Sequence, residues 1–441
     1  MAIGFHSKEG LTDDSILSLR GSGNRVSSFF MLLDSMGGGW RFGSRVFFHL
    51  GIGRYMDMSR HMVACFAICI VLYHAICDYR RKGGIDWRGA KQMILVTGGA
   101  GYIGCVLVEK LLDRGERVRV YDKGYFGFAG LPSGFVEVVQ GDLRQFDPAV
   151  LKGVDSVIHL AGLSNDPTAN FNPQANHEMN TVATERLAKA CKSAGIHRFT
   201  FASSCSIYDM GMEADDTPKT EESAVEPRAA YATSNYAAER ILLDMADESF
   251  CPVILRQGTV YGFSPRMRYD LVVNTMLKDA FSRGRMTVHC GGEMWRPLVD
   301  VSDVARAHIK CIEADPSLVG GEIFNISFRN FRILELAHFV KAALGDRGCG
   351  VSIDVSYTDI ASRSYRVDAS KIERVLDFHP RVDVADSVRN MIEKIHRGSI
   401  TEVDGYSAKF TDWNNPLFYN IQWMTLLDSM EKKLQQLGSV F

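Results

Sequence analysis

From Met93 onward, short continuous apolar runs alternate with longer stretches of helical periodicity. The apolar runs fall at 93–97, 117–121, 136–139, 156–160, 198–203 and 253–257, and helical patterns occupy 102–114, 176–194 and 231–248. Short, largely apolar strands separated by helices predict an α/β fold with a doubly wound parallel sheet. Past about residue 260 the rhythm changes. Single strands at 286–289 and 323–326 then alternate with helices near 270–283, 302–314 and 333–344. That pattern predicts a smaller C-terminal lobe, interleaved with the sheet rather than separated from it. The expected division is 93–262 for the main α/β domain, 263–400 for the smaller lobe and 401–441 for a C-terminal tail or helix.

Residues 1–92 differ in kind. They are rich in Gly, Ser, Arg and Met, with Gly37-Gly38-Gly39 in their midst and no sustained periodicity up to residue 60. Met62 to Cys77 is apolar except for His74, and Arg80-Arg81-Lys82 follows. A membrane-spanning helix needs about 20 apolar residues, so this run is short. Three readings stay open: a marginal membrane anchor, an amphiphilic docking helix, or an upstream extension of a chain that starts at Met93. With the basic flank on its C-terminal side, an anchor keeps the rest of the chain in the cytoplasm. The formal net charge is −2, from 50 basic and 52 acidic residues, which gives no signal for nucleic acid. The ten cysteines are scattered, fitting reduced thiols in a cytoplasmic or cytoplasm-facing compartment. No His/Cys/Asp cluster has metal-ligand spacing, so no metal is expected.

The most informative segment is Met93-Ile-Leu-Val-Thr-Gly-Gly-Ala-Gly-Tyr-Ile-Gly104. A strand stops at Thr97, glycines follow at Gly98, Gly101 and Gly104, and a helix begins. This is the Rossmann-type arrangement that holds a dinucleotide pyrophosphate on a helix N-terminus, with the backbone at Tyr102 and Ile103 inside the turn. Gly98 permits the tight turn, Gly101 lets the backbone approach the phosphates, and Gly104 lets helix and strand pack. Asp122 ends the next strand, 24 residues after Gly98. A carboxylate there accepts hydrogen bonds from the adenosine ribose hydroxyls and favours NAD over NADP, although the adjacent Lys123 blurs that preference.

Further segments agree. Gly141-Asp142-Leu143 follows a strand, where Asp142 is placed to meet the adenine amino group. Leu160, Ala161 and Gly162 end another strand in small residues that let the backbone lie against a cofactor; His159 before them reads as a packed strand residue. Phe201 to Tyr208 is a strand ending in hydroxyls, and Pro227 to Glu239 opens a helix containing Tyr231. At this point the chain resembles the extended short-chain dehydrogenase/reductase family, especially its NAD-dependent sugar-nucleotide epimerases and dehydratases. The resemblance runs from about Met93 to about Arg381. It includes Trp295-Arg296-Pro-Leu-Val-Asp300-Val-Ser-Asp303, similar to that family's "RDxxHVxD" region.

The resemblance implies that Tyr231 is the general acid/base and that Ser204 hydrogen-bonds the same substrate oxygen. The position four after Tyr231 departs from the pattern: it is Asn235, where the family has a lysine that binds the nicotinamide ribose and lowers the tyrosine pKa. Glu239, eight after Tyr231, keeps the register. Asn235 can hydrogen-bond the ribose but brings no charge. On the substrate side the resemblance places Thr259 beside the nicotinamide and Ser164 beside the sugar. Arg266, Arg268 and Asn274 fall where a nucleotide diphosphate would lie. Arg296 resembles the family's diphosphate-binding arginine, and Ser362 to Asp368 the segment that closes over the nucleotide, with Arg363 a further phosphate candidate. Guanidiniums suit phosphate because their fork matches its oxygens.

The expected function is an NAD-dependent epimerase acting on a nucleotide-diphosphate sugar through transient oxidation at C4. A 4,6-dehydratase would want an acidic pair beside the serine, whereas this chain has Ser204-Cys205. A 4-ketoreductase shares the Ser/Tyr core. From a different class, a non-catalytic NAD-binding protein is the reading that Asn235 favours. The resemblance also raises a homodimer through helices 176–194 and 231–248.

Overall fold

The computed structural model describes residues 92–209, 217–358, 363–396, 400–403 and 406–438; the apolar run 62–77 lies outside them. Seven strands form one parallel sheet: β1 (Met93–Thr97), β2 (Arg117–Asp122), β3 (Glu137–Gln140), β4 (Ser156–His159), β5 (Arg198–Ser204), β6 (Cys251–Gln257) and, far along the chain, Ile323–Ile326. The chain steps outward from β1 through β2 to β3, returns to place β4 against the other edge of β1, and continues outward through β5 and β6. Thr97 therefore has Tyr121 on one side and His159 on the other. The direction of winding reverses at that point, and the crevice beyond the carboxyl ends of β1 and β4 is where such sheets bind ligands.

Side-chain alternation divides the central strands between two cores. Ile94, Val96, Val120 and Ile158 face α1 (Tyr102–Asp113), while Leu95, Val157 and Phe199 face α2 (Ala183–Ser193) and α3 (Ala230–Asp244). Every residue of β1 is buried, since helices cover both faces of the sheet. His159 is fully buried between Thr97 Oγ1 at 2.6 Å and Thr184 Oγ1 at 2.8 Å, and burial pushes its imidazole down to about 3. It is neutral packing.

The later segments do interleave. After β6 come β7 (Thr259–Tyr261), α4 (Val272–Arg283), β8 (Arg285–Val288), β9 (Trp295–Asp300) and α5 (Val301–Glu313). The strand Ile323–Ile326, β10, then rejoins the main sheet beside β6, and α5 packs against α1 on the sheet's face. Next are β11 (Arg329–Arg332), α6 (Ile333–Ala343), β12 (Ser352–Val355) and α7 (Val384–His396). β7, β9 and β11 form a three-stranded sheet, and β8 pairs with β12. The C-terminal stretch is more than a tail or helix. Strands β13 (Ile400–Val403) and β14 (Tyr406–Lys409) pair antiparallel before α8 (Asn420–Gly438). Phe410, Leu417, Phe418 and Trp423 from this stretch are buried in one apolar cluster with α4, α6 and α7. Among the described residues no helix is long and apolar enough to cross a membrane.

Candidate active site

The turn between β1 and α1 is shaped for a close-fitting ligand. Gly98 sits at φ +72°, and a Cβ there would lie 2.7 Å from the Ala161 nitrogen. A Cβ on Gly104 would run into the Gly98 carbonyl. Glycine is thus required at both positions, by backbone conformation at the first and by packing at the second. The N-terminus of α1 has no side-chain cap and no acidic residue in its first turn. Its leading N–H groups therefore have no side-chain anion of their own, the condition under which a helix N-terminus receives phosphate. These residues fit a dinucleotide.

One cavity runs from this turn to the ends of β4 and β5. It is lined by Gly98, Gly101, Tyr102, Ile103, Gly104, Asp122, Leu143, Leu160, Ala161 and Gly162, together with Lys123, Tyr125 and Phe126. Asp122 accepts backbone N–H bonds from Ala100 at 3.1 Å and Gly124 at 2.8 Å. Those bonds aim its carboxylate, while burial raises its pKa. Asp142, expected at the adenine, is not brought to the cavity. Arg144 and Lys123 occupy its carboxylate, at 2.6 and 2.9 Å, and hold it well below the usual carboxylate range, Arg144 most strongly. Its neighbours Gly141 and Leu143 line the wall instead.

Ser204 ends β5 and Tyr231 is the second residue of α3; both line the same cavity. Burial pushes the Tyr231 phenol up. The Arg363 guanidinium, a hydrogen bond with Ser204 and then Arg268 oppose that rise. Asn235 is not on the cavity wall. It is 4% exposed, and its Nδ2 donates to the Tyr231 carbonyl at 2.8 Å, so one amide hydrogen is spent within the helix.

Behind these residues lies a network that residue patterns alone did not reveal. Glu239 on α3 accepts from Arg256 of β6, Nη2 to Oε2 at 2.7 Å with Nε also bonded, and from the Ser203 hydroxyl. Arg256 also donates to the Tyr208 hydroxyl at 2.7 Å. The pair is nearly inaccessible, with side-chain exposures of 3% and 0%. It ties α3 to both strands and thereby fixes Tyr231 relative to Ser204. A glutamate and an arginine 17 positions apart carry no local signal; only the strand–helix packing joins them.

Ser164, Thr259, Arg268 and Arg363 also line the cavity. Arg268 is forked onto Asp270 at 2.8 and 3.0 Å and reaches Ser164 Oγ at 3.3 Å. Arg363 pairs with Asp166 at 3.1 Å; Ser362 lies outside the described residues. Two expected substrate residues are placed elsewhere. Asn274 is fully buried and spends its amide on the Gly262 N–H at 3.0 Å, the Arg268 carbonyl at 2.9 Å and the Tyr102 hydroxyl at 3.2 Å. Arg296 donates to the Trp295 carbonyl at 2.8 Å and lies over the Tyr365 ring, 5.9 Å from its centre. Tyr365 lines the cavity, so Arg296 stands one layer behind it. Two residues without any sequence cue, Asn420 and Met424 of α8, complete the wall.

The model of the NAD dependent epimerase/dehydratase family matches residues 94–327. That is more than half of the chain, and the chain belongs to this family. It is 28% identical to an uncharacterized UDP-glucose epimerase, YtcB of Bacillus subtilis, over 68% of this chain and 96% of that protein. It is 30% identical to the mouse (Mus musculus) sterol-4-alpha-carboxylate 3-dehydrogenase, decarboxylating, over 53% of this chain and 63% of that protein. Among solved structures, MoeE5 in complex with UDP-glucose and NAD has a TM-score of 0.60 and 29% identity, covering 69% of this chain and 98% of that one.

Proposed function

We propose that this family member is an epimerase that inverts C4 of a nucleotide-diphosphate sugar, using NAD that stays bound. The observation that carries the reading is that Ser204 and Tyr231 line one cavity with the glycine turn and Asp122. The N–H groups around Gly101 to Gly104 would hold the cofactor's pyrophosphate, and Asp122 the adenosine ribose hydroxyls. When bound, NAD supplies a reversible two-electron acceptor for the C4–H bond of the sugar. Tyr231 removes the proton from the C4 hydroxyl and later returns it, because breaking the C–H bond requires the oxygen to lose its proton in the same event. Ser204 hydrogen-bonds that oxygen in both directions. Arg268 and Arg363 carry positive charge towards the diphosphate and Tyr231, and Thr259 and Ser164 border the sugar. The largely buried Arg268–Asp270 pair and the half-buried Arg363–Asp166 pair orient those guanidiniums.

Cys205 supports this reading over dehydration. It occupies the place where an acid would be wanted, yet it is fully buried and its thiol donates to the Arg256 carbonyl at 3.0 Å. Burial pushes that thiol far up, so it neither gives nor takes a proton near neutral pH. The relatives and solved structures that name UDP-sugars make these the first substrates to try. Asn235 is the observation in favour of a non-catalytic NAD-binding protein. One experiment separates the two readings. The purified protein is denatured to identify released nucleotide, and the intact protein is mixed with nucleotide sugars while the reduced-nicotinamide absorbance is followed. Released NAD and a sugar-dependent absorbance rise support the epimerase; released NAD with no response to any sugar supports the non-catalytic protein.

A further inference from the structure

Arg266 is 5% exposed, yet among the described residues no carboxylate stands within ion-pair distance of it. One of its Nη groups donates to Asn420 Oδ1 at 2.6 Å, and its guanidinium lies over the Phe126 ring, 3.6 Å from the centre. Its Nε finds no partner among the described residues. Burial pushes its pKa down to about 9. A buried cation left in this state costs free energy that an arriving anion offsets. Arg266 lines the cavity, so the anion has access.

The loop that carries Arg266 indicates which anion. Ser264 donates to the Tyr102 carbonyl at 2.7 Å and accepts from the Arg266 N–H at 3.3 Å. The Tyr102 hydroxyl donates to the Gly262 carbonyl at 2.6 Å. These bonds fasten the loop to the first turn of α1, whose N–H groups have no side-chain cap. A guanidinium beside an uncapped helix N-terminus is a pair of donors for one phosphate group.

Asn420 comes from a part of the chain beyond residue 327, where the family match ends. It opens α8, donates to Ser164 Oγ at 2.8 Å, and gives its own N–H to Asp270 at 3.3 Å. Three residues on, Trp423 donates to the Tyr125 carbonyl at 2.5 Å. The first turn of α8 is thus bonded to both sides of the cavity, and Met424 adds an apolar contact surface.

We propose that Arg266 binds a pyrophosphate oxygen of the dinucleotide and that Asn420 holds its guanidinium in place, which makes the C-terminal helix one wall of the cofactor site. This rests on the NAD reading above. Asn420 thus steadies a cofactor contact from outside the shared family region, which suits an enzyme that returns electrons to its own substrate and has no need to release NAD.

The test is calorimetric titration of the full-length, nucleotide-free protein with ADP-ribose and with adenosine. Arg266→Met should weaken ADP-ribose about 30-fold and leave adenosine unchanged, because only the former carries phosphates. Arg266→Lys should fall between wild type and Arg266→Met, and Asn420→Ala should weaken ADP-ribose about fivefold. Unchanged ADP-ribose binding in Arg266→Met, or equal losses for the two ligands, would overturn the assignment while leaving the NAD reading in place. Failure of the wild-type protein to bind ADP-ribose would remove both.

Discussion

Asn235 gives its side-chain amide to the backbone carbonyl of Tyr231, one helical turn earlier, at 2.8 Å. The position where the family resemblance implies a lysine is here occupied by a neutral amide that does not line the cavity. Positive charge near the Tyr231 phenol comes from Arg363 and Arg268 instead, and burial still leaves its pKa raised.

A lysine at this position should therefore matter. A positive charge about 5 Å from the phenol, at an effective dielectric of about 20, is worth about 3 kcal/mol, or about two pKa units. Asn235→Lys lowers the pKa of the base, so the acidic limb of the pH–rate profile should move down by about one to two units. Turnover at neutral pH should rise about tenfold or more. A superimposable profile would mean that Arg363 and Arg268 already supply the charge the site uses.

Tyr231→Phe removes the proton acceptor and leaves the cofactor wall intact. Turnover should fall by a factor of about 10² to 10⁴, while the amount of NAD that copurifies stays at the wild-type level. Near-normal turnover in this variant would take Tyr231 out of the chemistry.

The Glu239–Arg256 pair is buried with its hydrogen bonds satisfied. Removing one partner strands the other charge, so Glu239→Gln should lose about 3–5 kcal/mol of stability in denaturant unfolding. Because the pair also joins α3 to β5 and β6, turnover should fall with it. A loss below about 1 kcal/mol, in the range of an exposed pair, would contradict the buried network.

Asp300 caps α5 through the Ser302 N–H at 2.7 Å and accepts the Ser387 hydroxyl at 2.6 Å, yet burial pushes its carboxyl up to about 6. Its folded-state value lies above the ordinary 3.8, so the protonated form stabilises the fold. That contribution is complete below about pH 4 and is lost as pH rises through about 6. It amounts to about 3 kcal/mol, and Asp300→Asn should flatten the stability curve across this window by that amount. Equal slopes for variant and wild type, from unfolding at several pH values, would show that Asp300 does not titrate there.

The strands, the winding of the sheet and the glycine turn were legible because each rests on a local requirement. Continuous apolar runs mean strands covered on both faces, and Gly98 and Gly104 answer to a backbone angle and a close approach. Ser204 and Tyr231 were legible because one ends a strand and the other begins a helix at the same edge of the sheet. Residue type did not reveal where a polar side chain spends its hydrogen bonds. Asp142 and Asn274 have the right chemistry for a ligand, but neighbouring side chains or the backbone consume it, and Asn235 turns one amide hydrogen to its own helix. Asn420 meets Arg266 across a separation of 154 residues, and no spacing rule links two positions so far apart.

The central claim is net inversion at C4 with NAD retained. It is tested most directly by incubating the purified protein with UDP-, GDP-, CDP- and dTDP-sugars, with and without added NAD(H) or NADP(H), and identifying products by mass and NMR. The account predicts an isomer of unchanged mass, inverted at C4, with no added cofactor consumed. A product lighter by one water, or one heavier by two hydrogens at the expense of added reduced cofactor, would contradict it.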